Sequence, residues 1–426
     1  MSATAVREYL PPAAAPPGTP AALGTPRLSE VAMPRGFSFA ATHCGLKKSK
    51  LDLAVLISEA PASAAAVFTA NRVEAAPVRI SRQHLAKSRG HIRAIIVNSG
   101  NANCCTGPQG LSASRTTAAR LALALGCPSR EILVCSTGVI GAPLRVDKIL
   151  DSITGLVLAR RSEPASFEQV ARAIMTTDTR PKWAAATCRI GGRQVRMVGC
   201  AKGSGMIHPN LATMLSFVLT DATISPAVLS RSLLSATGPT FNSISVDGDT
   251  STNDTLAVLA SGQAGAPEIG ARGPDNRKFT RALEEVCRSL ALSIVEDGEG
   301  AQRVIEIEVR GAPSDRAAGQ IARTIANSSL VKTAFAGADP NWGRILAAAG
   351  RAGIRFNFER VDVWVAGIPV CRRGREHPFD ERVAHEKMLA KRVPVRVDLH
   401  SGRGRARMWT CDFTEDYVHI NASYRT

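Results

Sequence analysis

The stretch HIRAIIVNSGNANCCTGPQGLSASRTTAARLALALGCPSREILVCSTGVIG (residues 91–141) carries the fold in miniature. HIRAIIVN (91–98) and EILVCS (131–136) are short apolar runs rich in Ile and Val, the length and composition of buried strands. Between them SASRTTAARLALALG (112–126) is Ala-rich and helix-like. Strand, helix and strand, joined by polar loops at the strand ends, make an α/β rhythm.

The rhythm continues on both sides. LDLAVLI (51–57), TLAVLAS (255–261), VIEIEVRG (304–311) and VDVWVAG (361–367) read as strands. NRKFTRALEEVCRSLALSIVED (276–297) and SDRAAGQIARTIANSS (314–329) read as helices, the second opening on a Ser or Asp N-cap. No internal repeat is visible. Residues 1–33, with PPAAAPP and GTPAALGTP, block regular elements and are expected to form a flexible arm, folded structure starting near Pro34.

The 426 residues are 45% hydrophobic, 21% charged and 4% aromatic, which fits a soluble globular chain and excludes disordered, collagenous and coiled-coil classes. At usual domain sizes this is two or three domains, or one large α/β unit. The net charge of +17 raises nucleic acid as a partner. The late basic cluster (Arg372, Arg373, Arg375, Lys391, Arg392, Arg403, Arg405, Arg407) lacks the interleaved aromatics that base stacking needs, so a solvated basic face is expected. Ten cysteines without a C-x-x-C pair argue for reduced thiols and against a zinc site. No run of about 18 apolar residues and no charged-then-apolar leader appears, so no membrane association and a cytoplasmic location are expected, an organellar transit peptide being the alternative.

Chemistry is expected in the loops rich in Gly, Ser, Thr and Asn. DGDTSTND (247–254) begins like a calcium loop, but Thr252 replaces the turn Gly and Val258 the closing Glu, leaving a turn network of Asx and Ser/Thr side chains. AKGSG (201–205) lacks the phosphate-loop order, and neither G-x-S-x-G nor H-E-x-x-H occurs; His208 beside Pro209 reads as structural. A hydroxyl without a His base can be activated by its own α-amine when a Thr or Ser becomes the first residue of a new chain. An α-amine titrates near about 7.7–8.0, whereas a Lys near about 10.4 would need roughly 3 units of depression to do the same work. Ala212-Thr213, in HPNLATML, fits that device, although a Thr before an apolar run also fits an ordinary cap.

GSGMIHPNLATML (203–215) closely resembles the signature of the ornithine acetyltransferase family, the self-cleaving bifunctional glutamate N-acetyltransferases and amino-acid acetyltransferases. VFTANRVEAAPV (67–78), IIVNSGNANCCTG (95–107), STGVIG (136–141), AIMTTDTRPK (173–182), VDGDTSTND (246–254), DGEGAQR (297–303), LVKTAFAGADPNWGRI (330–345) and YVHINASYRT (417–426) resemble family blocks in family order. Gln302 and Arg303 depart from the family's usual Thr and Lys.

The resemblance implies an α/β fold of layered sheets and helices shared between two autoproteolytic chains, of the N-terminal-nucleophile acyltransferase type. It places the cut at Ala212-Thr213, giving an α-chain (34–212 after the arm) and a β-chain (213–426). Thr213 would be the autolytic and catalytic nucleophile, with Thr137 and the Gly138 N–H as oxyanion hole. Substrate contacts map to Thr176 (Thr177 its neighbour), Lys202, Thr213, Glu299, Asn421 and Thr426. The implied reaction moves acetyl from N-acetylornithine to glutamate, with acetyl-CoA a possible second donor. No metal or dissociable cofactor is implied, and the chains would assemble as two α and two β, a heterotetramer. A self-processing amidase or aminopeptidase of the same fold, in which water resolves the acyl enzyme, fits the same device. A nucleic-acid binder would account for the charge but not for the motifs.

Overall fold

The computed structural model describes residues 28–208 and 214–423. Its first element precedes Pro34: Leu28–Glu30 form a 3-10 turn, and Leu28 is buried with Val31 and Met33 packed on the same core. The rest of the expected arm lies outside the described residues, as do Ala212, Thr213 and Thr426.

Eight strands build the first sheet: β1 (Phe37–Thr42), β2 (Leu53–Phe68), β3 (His91–Asn101), β4 (Ile132–Val139), β5 (Lys182–Ile190), β6 (Arg193–Lys202), β7 (Leu215–Thr220) and β8 (Thr255–Ala260). Their order is β4-β3-β2-β8-β7-β6-β5, with β1 added on β2. β3 with β4 and β7 with β8 are parallel; the other neighbours are antiparallel. The long β2 reaches across the sheet: residues 53–57 pair with β1 and β3, Ala62 and Ser63 pair with β3 beyond a register break, and residues 63–68 pair with β8. A second sheet comes wholly from later residues: β9 (Val304–Ala312), β10 (Asp362–Val365), β11 (Ile368–Arg372), β12 (Arg375–Glu376), β13 (Arg392–Asp398) and β14 (Gly404–Cys411), in the order β12-β11-β10-β13-β9-β14. Of the two sheets, therefore, only the first is shared between the segments before and after residue 212.

Period-two alternation explains the layers. Along β7, Leu215, Phe217 and Leu219 face one core and Val218 the other; along β6, Val198 and Cys200 oppose Val195 and Met197 in the same way. Every residue of β7 and β8 is buried, which is why TLAVLA of β8 reads as a nearly continuous apolar run. Helix Pro274–Glu296 covers one face with Phe279, Leu283, Val286, Leu290 and Ile294, spaced three or four apart. Helix Pro164–Ala173 covers the other face with Phe167 and Val170. Helix Asp315–Ala326 starts at Ser314, whose hydroxyl accepts the Ala317 N–H at 3.2 Å, the expected cap. It packs on β9 and β14 of the second sheet, whose strands also carry paired basic and acidic side chains. There Arg372 pairs with Asp362, and Arg372 and Arg396 flank the Trp364 ring. All ten cysteines are free thiols, and among the described residues no helix is long and apolar enough to cross a membrane.

The Ala212-Thr213 bond lies in the connection between β6 and β7, which pair from Met197↔Thr220 to Lys202↔Leu215. A cut there leaves that six-pair ladder and the β2–β8 ladder intact. We expect the two chains to co-elute in native size exclusion and to separate only in denaturant; separate native elution of the halves would contradict this pairing.

Candidate active site

Two strand ends build the first wall. β3 and β4 finish side by side, with Gly100 opposite Gly138. Gly138 has φ +131°, and a Cβ there would collide with the Gly100 backbone, so only glycine allows this close approach beside the buried Thr137. Ser136 donates to Asn98 Oδ1 at 2.6 Å, and Asn253 Nδ2 donates to the carbonyls of Ala102 (2.6 Å) and Ser136 (2.9 Å). DGDTSTND therefore bonds mostly to distant segments, not only within itself as the turn-network reading expected. Asp247 accepts the Met206 and Ile207 N–H groups at 2.5 and 2.9 Å, and Asn71 Nδ2 donates to the Thr250 carbonyl at 2.8 Å.

Between these loops lies a cavity of about 150 Å³ lined by Thr137, Gly138, Thr176, Thr177, Lys202, Glu299 and Asn421. Every described residue that the sequence singled out for the site is on its wall. Met214, which follows Thr213 in the chain, also lines it, with Asp247, Asn253, Asp254 and Tyr417. These last four stood inside quoted motif blocks, but nothing in their spacing distinguished wall residues from loop-forming ones. Gln302 and Arg303 are not among the lining residues; the Gln302 N–H and the Arg303 side chain both engage Asp412, at 2.9 and 3.4 Å.

Lys202 ends β6 and donates from Nζ to Thr176 Oγ1 at 3.2 Å. Opposite it, the buried Glu299 accepts from Asn421 Nδ2 at 2.8 Å, and its own N–H donates to the Ser204 carbonyl at 2.9 Å. Gly205 packs so closely on Glu299 that a Cβ there would strike the carboxylate. Lys202 and Glu299 are thus cavity groups rather than a surface ion pair. Beneath them Lys182, itself buried, donates to Asp178 and to Asp297, each at 2.5 Å.

The electrostatics follow from burial. Desolvation lowers the Lys202 pKa, opposed by the charges of Asp178, Asp254 and Glu299. Desolvation pushes Asp178 up, but Lys182, Lys202 and the Gly203 N–H outweigh it and hold its carboxyl below the usual range. At Asp254 burial outweighs the support of Ser251 and Lys202 and raises the carboxyl well above the usual carboxylate range, and Oδ2 has no hydrogen-bond partner in the protein. Behind the wall residue Tyr417, the Phe413 ring stacks on it at 4.5 Å, and the buried Lys332 sits 4.4 Å above that ring and donates to Thr410 Oγ1 at 2.9 Å. These contacts seat helix Glu415–Ser423, which carries Asn421, against the cavity.

The family model described as the ArgJ family matches residues 38–426. The chain belongs to the ArgJ family. It is the family that the motif blocks resemble, and curated members are similar over nearly their whole length. One, named arginine biosynthesis bifunctional protein ArgJ, from Thermotoga neapolitana, is 47% identical over 398 residues, covering 92% of this chain and 100% of its own. Another of that name, from Shouchella clausii, is 44% identical over 392 residues, covering 92% and 95%. A crystal structure of the Bacillus halodurans ArgJ protein is 46% identical and covers 50% of this chain and 100% of its own, with a TM-score of 0.49.

Asp254 gives a stability test. Its folded pKa lies above its unfolded value, so the folded state holds the proton more tightly. Its contribution is fully present below the unfolded pKa and is lost as pH rises from the ordinary carboxylate range toward the folded value. Asp254→Asn, which mimics the protonated acid, should therefore melt higher relative to wild type at pH 8 than at pH 4. A difference in Tm that is constant with pH would contradict the assignment.

Proposed function

We propose that this chain is a self-cleaving acetyltransferase of arginine biosynthesis, moving acetyl from N-acetylornithine to glutamate through an acetyl-Thr213 ester. The observation that carries the proposal is the shared cavity: Thr137, Gly138, Thr176 and Lys202 come from before the cut, and Met214, Glu299 and Asn421 from after it. One cavity assembled from both sides of Ala212-Thr213 is what a nucleophile released at that bond requires.

Cleavage begins when the Thr213 hydroxyl attacks the Ala212 carbonyl, exchanging the amide for an ester and freeing the α-amine; water then releases the α-chain. That amine is the base for the next attack. Thr213 takes the acetyl from N-acetylornithine, its hydroxyl proton passes through the amine to the departing ornithine nitrogen, and the glutamate amine removes the acetyl in turn. Each tetrahedral intermediate places its negative oxygen on the Thr137 hydroxyl and the Gly138 N–H. Lys202 pairs with the substrate α-carboxylate and Glu299 with the ornithine ammonium, while Thr176, Asn421 and the terminal Thr426 hold the remaining polar groups. The names of the curated relatives, bifunctional proteins of arginine biosynthesis, support acetyl-CoA as a second donor to the same Thr213. The reaction uses no metal or dissociable cofactor. We place the enzyme in the cytoplasm, as a heterotetramer of two α- and two β-chains.

Purified enzyme should acetylate glutamate from N-acetylornithine, and from acetyl-CoA alone. Release of free acetate from N-acetylornithine without glutamate, as fast as transfer with it, would instead identify an amidase. Removing one oxyanion donor typically costs about 10²–10³ in kcat, so Thr137→Ala should lose roughly that much kcat with little change in KM. Unchanged kcat would remove Thr137 from the oxyanion hole.

A further inference from the structure

Under the cavity floor lies a charge cluster with no assigned part in the chemistry. Lys182 is 1% exposed, and its ammonium lies between the carboxylates of Asp178, from the segment before the cut, and Asp297, from the segment after it. Buried ion clusters contribute little net stability, because desolvation offsets their attraction. Stability alone therefore does not account for three charged groups beneath a site.

Their other bonds do. Asp178 accepts the Thr176 N–H at 2.9 Å and the Gly203 N–H at 2.7 Å, the latter next in the chain to Lys202. Asp297 accepts the Thr179 N–H at 3.1 Å and the Thr179 hydroxyl, and its carbonyl accepts the Ser204 hydroxyl at 2.6 Å. The Ser204 carbonyl in turn accepts the Glu299 N–H at 2.9 Å. Thr176, Lys202 and Glu299 thus each stand within two residues of a group bonded to the cluster. The Lys182 ammonium joins Asp178 to Asp297, and the segment after Lys202 is tied to both aspartates through the Gly203 N–H and the Ser204 hydroxyl.

We propose that Asp178, Lys182 and Asp297 are positioning residues that set the spacing between the Lys202 and Glu299 arms across the two halves of the chain. A cluster rigid in all three loops fixes where a carboxylate and an ammonium of one substrate can sit at once. Charge-assisted hydrogen bonds suit this task because they are short and directional. Loss of one carboxylate charge lets the loops separate, and substrate binding weakens before the acetyl transfer chemistry at Thr137 and Gly138 is affected. This inference rests on Lys202, Thr176 and Glu299 being the substrate contacts.

The test compares Asp297→Asn with Lys202→Met in the full, self-processed enzyme. KM and kcat for N-acetylornithine and glutamate are measured per active site, counted by acetyl-enzyme formation. A merely structural defect lowers the number of active sites and leaves KM alone. We expect Asp297→Asn to raise KM for both substrates about tenfold, with kcat per site within about threefold of wild type. Where Asp297→Asn does not fold, Ser204→Ala removes only the hydroxyl bond to the Asp297 carbonyl and should raise the same KM values about threefold. Unchanged KM in these variants, with KM raised in Lys202→Met, would overturn the positioning role. Unchanged KM in Lys202→Met would instead overturn the substrate contacts on which it rests.

Discussion

Everything in this molecule depends on the pairing of β6 with β7. The two strands are joined by the connection that holds the Ala212-Thr213 bond, yet their alignment does not depend on that connection. Six register pairs from Met197↔Thr220 to Lys202↔Leu215 fix it, in the middle of a sheet covered on both faces. Burying a Leu or Phe side chain contributes about 1.5–3 kcal/mol, and β7 buries Leu215, Phe217 and Leu219 on one face alone. Such a core tolerates a broken backbone at the strand ends, which is the condition for a precursor to cut itself and remain one enzyme. Lys202, the last residue of β6, and Met214, just before β7, then reach the cavity from the two sides of the connection.

The second constraint is electrical. A small cavity that gathers Lys202, Glu299, Asp254 and Asp247 is stable only where each charge is matched or neutralised. The molecule does both. Lys202 faces the carboxylates of Asp178, Asp254 and Glu299, Glu299 is capped by Asn421, and burial pushes the Asp254 carboxyl well above the usual carboxylate range. The cavity thus presents the Lys202 ammonium and the Glu299 carboxylate together, a pair suited to substrates that carry both a carboxylate and an ammonium.

Much of this was legible in the sequence because local rules govern it. The Ile- and Val-rich runs at 91–98 and 131–136 are strands, the helix at 276–297 shows its three-and-four spacing, and Ser314 caps its helix as a Ser before Asp should. The motif blocks pointed to Thr137, Thr176, Lys202, Glu299 and Asn421, which line one cavity. What the sequence did not disclose is pairing over distance. Asp297 lies far along the chain from Lys182, and no periodicity joins them. Asp254 reads as a turn residue until its burial is known. Leu28 belongs to the core, although a Pro-rich prefix made its surroundings look like an arm. Likewise, only three-dimensional topology reveals that the second sheet is built wholly from later residues while the first is shared.

The most direct measurement is the intact mass of the chains under denaturing conditions after incubation with N-acetylornithine alone, for wild type and for Thr213→Ala. The account predicts two wild-type chains, the later one starting at Thr213 and heavier by one acetyl group on that residue, and a single unmodified chain for the mutant. A single wild-type chain, or two chains with no acetyl on Thr213, would contradict it.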